Sequence, residues 1–177
     1  MAPDRPLAFR EDYTQLMGTF QSMWGSTEIV TDYAIYKFLK VTPGQAHLIT
    51  AGVLFGRKGR LLADLVARSD DPKKDQILGA FNKLRGLSKR DMFAHAYVRS
   101  DSNTITFLDR SGGEFRAQEH TFTLDEFRAY VKEFEKAGIE FSQALGARKE
   151  ELDAFAKAAL SFSRKSKTSP GNPSSNA

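Results

Sequence analysis

The sequence predicts a mostly α-helical fold, a compact bundle of four to five helices with a β-hairpin inserted before a long final helix. Apolar residues recur at the three- and four-residue spacing of amphipathic helices through most of the chain. Between two such stretches, β-branched and aromatic residues flank a glycine turn. With 177 residues, 41% of them hydrophobic, we expect one domain over residues 1–162 and a disordered basic and polar tail over 163–177.

The first two helices are predicted from one apolar stripe and one capping box. The stripe runs from Phe9 to Phe38, and Trp24 with the Gly-Ser pair after it marks its expected weak point. A second helix should begin after Thr42, whose capping box is completed by Gln45, and should continue to about Ala67. That helix contains three glycines, Gly52, Gly56 and Gly59. Because no strand precedes them, they indicate close helix packing or local loosening rather than a phosphate-binding loop.

A third helix is expected to begin at Asp71, as N-cap, with Pro72 in the first turn. Its apolar positions are Ile77, Phe81 and Leu84, and Gly86 weakens it. Ser88 and Asp91 have the spacing of a new cap, which predicts a kink or a fresh helix just before Arg90.

The last third of the chain predicts a hairpin followed by a long helix. The hairpin should occupy residues 104–122, with its turn near Ser111–Gly113. Thr123 and Glu126 form a second capping box. The apolar stripe then continues to Phe162, with a bend expected at Gly146.

Composition excludes several classes of protein. The chain has no cysteine, so it has neither disulfides nor a thiolate site, and a reducing compartment, the cytoplasm, is expected. No apolar run approaches the ~20 residues of a membrane span, so we expect no membrane partner. No ligand pattern suggests a metal, and no cofactor is expected. The acidic cluster Asp70, Asp71 and Asp75 is better explained by a helix start, since two lysines stand within it.

Positive charge is concentrated in the middle of the chain. Between Arg57 and Arg99 stand eleven Lys or Arg residues and five Asp. This surplus favours a polyanionic partner, and we expect RNA, with the following residues as its contacts: Arg57, Lys58, Arg60, Lys89 and Arg99. The alternative is an ordinary solvated helix surface.

The stretch "LSKRDMFAHAYV", residues 87–98, contains the one arginine–histidine spacing of interest, Arg90 with His95. Such a spacing alone arises by chance roughly 0.7 times in a chain of this composition. A small polar residue directly after the arginine, here Asp91, lowers that expectation about tenfold, and the late helical setting lowers it further. The remaining histidines, His47 and His120, have no matching arginine and are expected to be structural.

"RDMFAH" within a helical domain resembles the R-x4-6-H signature of HEPN domains. The resemblance implies a HEPN-like domain over residues 1–162, many of whose relatives are metal-independent endoribonucleases acting as dimers, some in toxin–antitoxin or defence systems. It assigns catalytic roles to Arg90, Asp91 and His95 and implies a homodimer, with an antitoxin or other protein as a further partner. The hairpin departs from the simplest four-helix form of the family.

The residue types suit RNA cleavage without a metal. A histidine can transfer the protons, and an arginine can neutralise the oxyanions of a phosphorane. Asp91 precedes His95 by one helical turn and could fix its tautomer. On a straight helix Arg90 and His95 point about 140° apart, so a kink or a second subunit is needed to bring them together. The alternative is a non-catalytic helical dimer that binds RNA, a nucleotide or a partner protein.

Overall fold

Helices make up most of the fold, as predicted, and a small antiparallel sheet precedes the longest of the late helices. The computed structural model describes residues 11–89, 92–93, 96–101, 103–112 and 116–165. The helices in this part of the chain are α1 (Glu11–Leu39), α2 (Pro43–Thr50), α3 (Phe55–Ala67), α4 (Lys74–Leu87), α5 (Leu124–Leu145) and α6 (Lys149–Lys165). The strands are β1 (Tyr97–Ser100), β2 (Thr104–Gly112) and β3 (Arg116–Thr123). None of the helices within these ranges is long and apolar enough to cross a membrane.

Four helices form the bundle: α1 and α4 lie opposite each other, and each packs against both α3 and α5. Aromatic rings fill the centre. Phe20 of α1 lies 4.9 Å, centre to centre, from Phe134 of α5, and Trp24 lies 4.6 Å from Phe55 of α3. Because Trp24 is buried in this contact, α1 continues through the predicted weak point without a break.

The predicted second helix is wrong in length, because it consists of two helices. Its start is confirmed: the Thr42 hydroxyl accepts a hydrogen bond from Gln45 N at 3.3 Å, and the Gln45 side chain accepts one from Thr42 N at 2.9 Å. The helix stops at Thr50, since Gly52 takes a left-handed φ of 72° that an α-helix cannot contain. Gly59 confirms the close packing, because a β-carbon there would lie 3.0 Å from the ring of Phe81.

α4 starts a few residues later than predicted, because Asp71 organises a turn before it. The Asp71 carboxylate accepts a hydrogen bond from Lys73 N at 2.8 Å, and the helix begins at Lys74. All three predicted apolar positions, Ile77, Phe81 and Leu84, are buried. After α4 ends at Leu87, helical hydrogen bonding resumes with Phe93 N donating to Lys89 O at 3.2 Å. This break and restart agree with the predicted kink or new helix.

The hairpin is confirmed, and a third strand extends it. β2 pairs with both β1 and β3 in the order β1-β2-β3, all antiparallel. Ile105 and Phe107 of β2 are buried, and Phe107 lies 5.8 Å from Phe127 of α5, so one face of the sheet closes the end of the bundle. β1 was not predicted, since four residues are too few to display an alternating pattern. In the predicted turn, Ser111 and Gly112 belong to β2, and Gly113 lies outside the described residues.

The predicted final helix is also two helices. The capping box at its start is confirmed, with Glu126 N donating to the Thr123 hydroxyl at 3.3 Å. α5 ends where Gly146 takes a left-handed φ of 63°, and α6 then folds back against α2 and the end of α1. α6 continues to Lys165, three residues into the predicted tail, and residues 166–177 lie outside the described ranges.

Candidate nucleic-acid interface

The arginine–histidine motif connects α4 to β1. Its polar members Arg90, Asp91 and His95 lie outside the described residues. Two of the three residues between Asp91 and His95, Met92 and Phe93, are only 3% and 4% exposed. The Phe93 ring lies 4.4–5.7 Å, centre to centre, from the rings of Phe20, Phe107, Phe127 and Tyr130. The middle of the motif is therefore anchored to α1, the sheet and α5 together.

A partly buried hydrogen bond holds the chain where it enters the motif. The hydroxyl of Tyr130 on α5 donates to the carbonyl oxygen of Leu87, the last residue of α4. Burial, with a smaller contribution from the Glu133 carboxylate, raises the pKa of Tyr130. The phenol therefore stays a neutral donor at physiological pH, and the backbone just before the motif is fixed to α5.

The first turns of α3 lie beside the last turns of α4, directly before the motif. Phe55 and Phe81 are 6.2 Å apart between ring centres, and a β-carbon on Gly59 would lie 3.6 Å from Cδ of Arg85. Four exposed cations stand on these two helices and on the residues that lead from α4 into the motif. We call them the basic surface: Arg57, Arg60, Arg85 and Lys89.

The basic surface has no acidic partners among the described residues. Residues 55–60 and 81–89 together contain six Lys or Arg and neither Asp nor Glu. Two of the six are paired with acids from other helices, Lys58 with Asp32 and Lys83 with Glu140, each at 2.8 Å. The four left over create a positive potential beside the motif, and such a potential attracts a polyanion.

The prediction that Lys58 contacts RNA requires correction. The residue is only 7% exposed, and its Nζ lies 2.8 Å and 3.1 Å from the two carboxylate oxygens of Asp32 on α1. Lys58 occupies the buried side of α3 because it falls in the apolar stripe that Phe55, Leu62 and Val66 define. Its charge stabilises the α1–α3 contact and is absent from the basic surface.

Arg99 lies on β1 and is separate in chain position from the helical cations. Its guanidinium is 3.4 Å from the carboxylate of Glu119 on β3, and both side chains are more than half exposed, at 58% and 54%. An exposed pair of this kind contributes ~0–1 kcal/mol, so water or an anion can displace it. Arg99 therefore remains accessible to a ligand.

Two further residues of this region were missed by the sequence reasoning. Arg85 was counted in the cationic surplus but was not selected as a contact, although it is exposed and its Cδ would lie 3.6 Å from a β-carbon on Gly59 of α3. The glycine, as a mark of close helix approach, was the available signal. Tyr97, two residues after His95, is 56% exposed on β1, and its strand was not predicted.

The other candidate features, possible metal ligands, a cavity and two histidines, provide fewer groups that could take part in a reaction. Among the described residues, no group of three or more His, Cys, Asp or Glu side chains could hold a metal ion. A cavity of about 220 Å³ between α1 and α5 is almost entirely apolar, and Glu135 is its only titratable lining residue. His47 on α2 and His120 on β3 are both partly buried. None of these features provides an acid–base pair.

Comparison with known proteins adds no relative to this picture. No protein-family model matches the chain, and neither the curated proteins nor the solved structures contain a significant match. The likeness to HEPN domains therefore depends on "RDMFAH" and on the helical setting of that motif.

Proposed function

We propose that this protein is a metal-independent endoribonuclease of the HEPN type. It acts as a homodimer in the cytoplasm and cleaves RNA through a 2′,3′-cyclic phosphate, as a toxin or defence component whose activity a partner protein restrains. One observation carries the proposal: the motif is anchored by buried Met92 and Phe93 beside the basic surface. That combination provides a phosphate-binding region next to residues suited to phosphoryl transfer.

In the proposed reaction the ribose 2′-oxygen attacks the adjacent phosphorus, and the bond from phosphorus to the 5′-oxygen breaks. His95 takes the 2′-hydroxyl proton or supplies the proton to the 5′-oxygen, since an imidazole can do either near neutral pH. Arg90 neutralises the charge that builds on the equatorial oxygens, and Asp91 orients the imidazole. Water is not the nucleophile, so the product ends are a cyclic phosphate and a free 5′-hydroxyl.

Dimerisation follows from the spacing within the motif. On a straight helix a spacing of five residues turns two side chains about 140° apart, so such a helix would aim Arg90 and His95 in different directions. A two-fold axis near this helix would set His95 of one subunit near Arg90 of its partner. The proposed active site is accordingly composite, shared by two chains, and a monomer should be inactive.

The second candidate is a dimer that binds RNA without cutting it. The basic surface favours this reading as much as the first, because its cations lie outside the motif and would bind phosphates whether or not His95 transfers a proton. The two candidates differ in the RNA ends they produce, and the test below uses that difference.

The test is cleavage of single-stranded RNA by purified protein in the presence of EDTA. The expected product carries 2′,3′-cyclic phosphate ends, and DNA should resist because it lacks the 2′-hydroxyl. His95→Ala and Arg90→Ala should each reduce the rate by ~10²-fold or more, and Asp91→Asn should reduce it less. His47→Ala, a histidine of α2, is the matched control and should retain full activity.

Light scattering on the same samples tests whether the protein is a dimer, and an activity measurement on mixed variants tests the shared site. Mixing inactive His95→Ala with inactive Arg90→Ala should restore part of the activity, because a mixed dimer contains one intact pair. RNA binding without cyclic-phosphate product, with wild type and His95→Ala behaving alike, would instead establish the non-catalytic dimer. A strictly monomeric protein that still cuts RNA would remove the shared site.

A further inference from the structure

The outer face of the sheet carries an exposed aromatic ring directly after the motif. Strand register places Tyr97, Leu108 and Glu119 in one row across the sheet, and Arg99, Thr106 and Thr121 in the next row. Side chains of one row point to the same face, which is opposite to the face that buries Ile105 and Phe107. Tyr97 is 56% exposed on this face. Thr106, which pairs with Arg99 in the next row, is only 5% exposed.

The position of Tyr97 along the chain ties this face to the proposed active site. Two peptide units separate Tyr97 from His95, so their Cα atoms are at most about 7.6 Å apart. Among the described strands β1 pairs with β2 alone, so within that part of the chain Tyr97 has sheet neighbours on a single side. A strand of RNA that stacks on Tyr97 would therefore meet a residue only two positions from His95 along the chain.

The chemistry of the row is that of a nucleic-acid platform. An exposed aromatic ring stacks on an unpaired base of any sequence, and a neighbouring arginine can bind the phosphate beside that base. Arg99 follows Tyr97 by two residues and lies on the same face. Its exposed pairing with Glu119 is weak enough for a phosphate to replace.

We propose that Tyr97 is a base-stacking platform for the nucleotide next to the cleaved phosphate, with Arg99 binding the adjoining phosphate. This proposal rests on the proposed ribonuclease function and narrows its substrate to single-stranded RNA. In an RNA duplex every base face is already covered by its neighbours, so no base is free to stack on Tyr97. Glu119 moderates affinity, since it occupies Arg99 in the absence of RNA and repels phosphate.

Binding is measured with a single-stranded 2′-O-methyl RNA, which lacks the nucleophile and cannot be cut, by fluorescence anisotropy. Tyr97→Leu, which keeps an apolar side chain but loses the ring, should bind about tenfold more weakly, while Tyr97→Phe should bind like wild type. Glu119→Gln should bind a few-fold more tightly. Leu160→Ala removes an equally exposed apolar side chain on α6 and should have no effect.

Two substrates separate stacking from charge. On an abasic strand with the same phosphates, wild type and Tyr97→Leu should bind equally, because no base remains to stack. Arg99→Ala should weaken binding to both strands. Equal binding of Tyr97→Leu and wild type to the intact strand would overturn the proposal, as would a change in self-association instead of RNA affinity.

Failure of this proposal differs from failure of the ribonuclease. Cleavage in EDTA with no effect of Tyr97→Leu on affinity or rate overturns the platform and leaves the ribonuclease standing. Tyr97-dependent binding without any cleavage does the reverse, and establishes the platform in a non-catalytic protein. Equal affinity for duplex and single strand would also overturn the platform. Circular dichroism and a melting curve of each variant confirm that the exposed substitutions leave the fold intact.

Discussion

Two regions of the molecule treat their charged side chains in opposite ways: the start of α6, and the segments of α3 and α4 that carry the basic surface. At the start of α6 the charges are paired locally: Arg148 binds Glu151 at 2.5 Å, and Lys149 binds Asp153 at 2.6 Å. Glu151 also accepts a hydrogen bond from the buried Tyr33 at 2.9 Å, which ties α6 to α1. On α3, on α4 and just after α4, the four cations of the basic surface have no acidic partner among the described residues.

The difference teaches which charges the fold itself uses. Exposed ion pairs contribute ~0–1 kcal/mol each, so leaving the basic surface unpaired costs the fold little. Of the six cations in residues 55–60 and 81–89, Lys58 is buried and paired with Asp32, while Lys83 forms an exposed pair with Glu140. Pairing, rather than the number of cations, distinguishes structural charges from those available to a ligand.

The largest expected effect separates Lys58 from its neighbour Arg57. Lys58→Ala leaves the Asp32 carboxylate buried without its partner, and we expect a loss of about 3 kcal/mol in the free energy of unfolding. Arg57→Ala removes an exposed, unpaired cation and should change stability by less than about 0.5 kcal/mol. Urea denaturation measures both values.

Lys58→Met gives that comparison its control. A methionine keeps much of the buried volume of the lysine, so combining it with Asp32→Asn should recover most of the loss, since no buried charge is then left unpaired. Equal free energies of unfolding for Lys58→Ala and Arg57→Ala would show that the buried, paired cation matters to the fold no more than the exposed one.

The second effect concerns RNA affinity. Replacing Arg57, Arg60 and Arg85 together by alanine should weaken binding to single-stranded RNA roughly a hundredfold at moderate salt. The slope of log affinity against log salt should fall by about 2, because each lost phosphate contact removes ~0.7. Anisotropy titrations at several salt concentrations measure both.

The matched control removes the same kind of side chain where it is already paired. Lys83→Ala lies on the same helix, and its ammonium is bound to Glu140 at 2.8 Å. Arg148→Ala is a second control of this kind, because the Arg148 guanidinium is bound to Glu151 at the start of α6. A localised interface would be contradicted if either control lowered the slope of log affinity against log salt as much as the loss of one residue of the basic surface does.

Local signals predicted most of the helical fold. The capping boxes at Thr42 and Thr123 and the apolar positions of α4 are properties of short segments, and the structure confirms them. The sequence did not separate helices that continue from helices that stop, because Gly52 and Gly146 differ from the glycines inside helices only in their left-handed φ. That angle depends on how the following helix packs, which no local pattern states.

For the candidate site, the sequence predicted which residues carry positive charge but not which way their side chains face. The cationic surplus included the four exposed cations of the basic surface, but composition could not tell that Lys58 faces Asp32 while Arg57 and Arg60 face outward. Helical phase relative to Phe55 and Leu62 contained that information. Tyr97 required the strand itself, since only the register of β1 shows which residues share its face.

The smallest effect tests the start of α6. Tyr33→Phe removes the hydrogen bond to Glu151 and should lower the free energy of unfolding by about 1 kcal/mol at pH 7. Burial, together with the Glu151 carboxylate, raises the pKa of Tyr33 from 10.0 to about 12. Between those pH values the unfolded chain loses the phenol proton while the folded protein retains it, so the contribution of Tyr33 declines as pH rises. The advantage of wild type over Tyr33→Phe should therefore be complete below pH 10 and should shrink toward pH 12, as urea denaturation at each pH will show. Equal stability of wild type and Tyr33→Phe throughout this range would mean that Tyr33 stabilises the α1–α6 contact by ring packing on Phe155 alone, because phenylalanine keeps the ring.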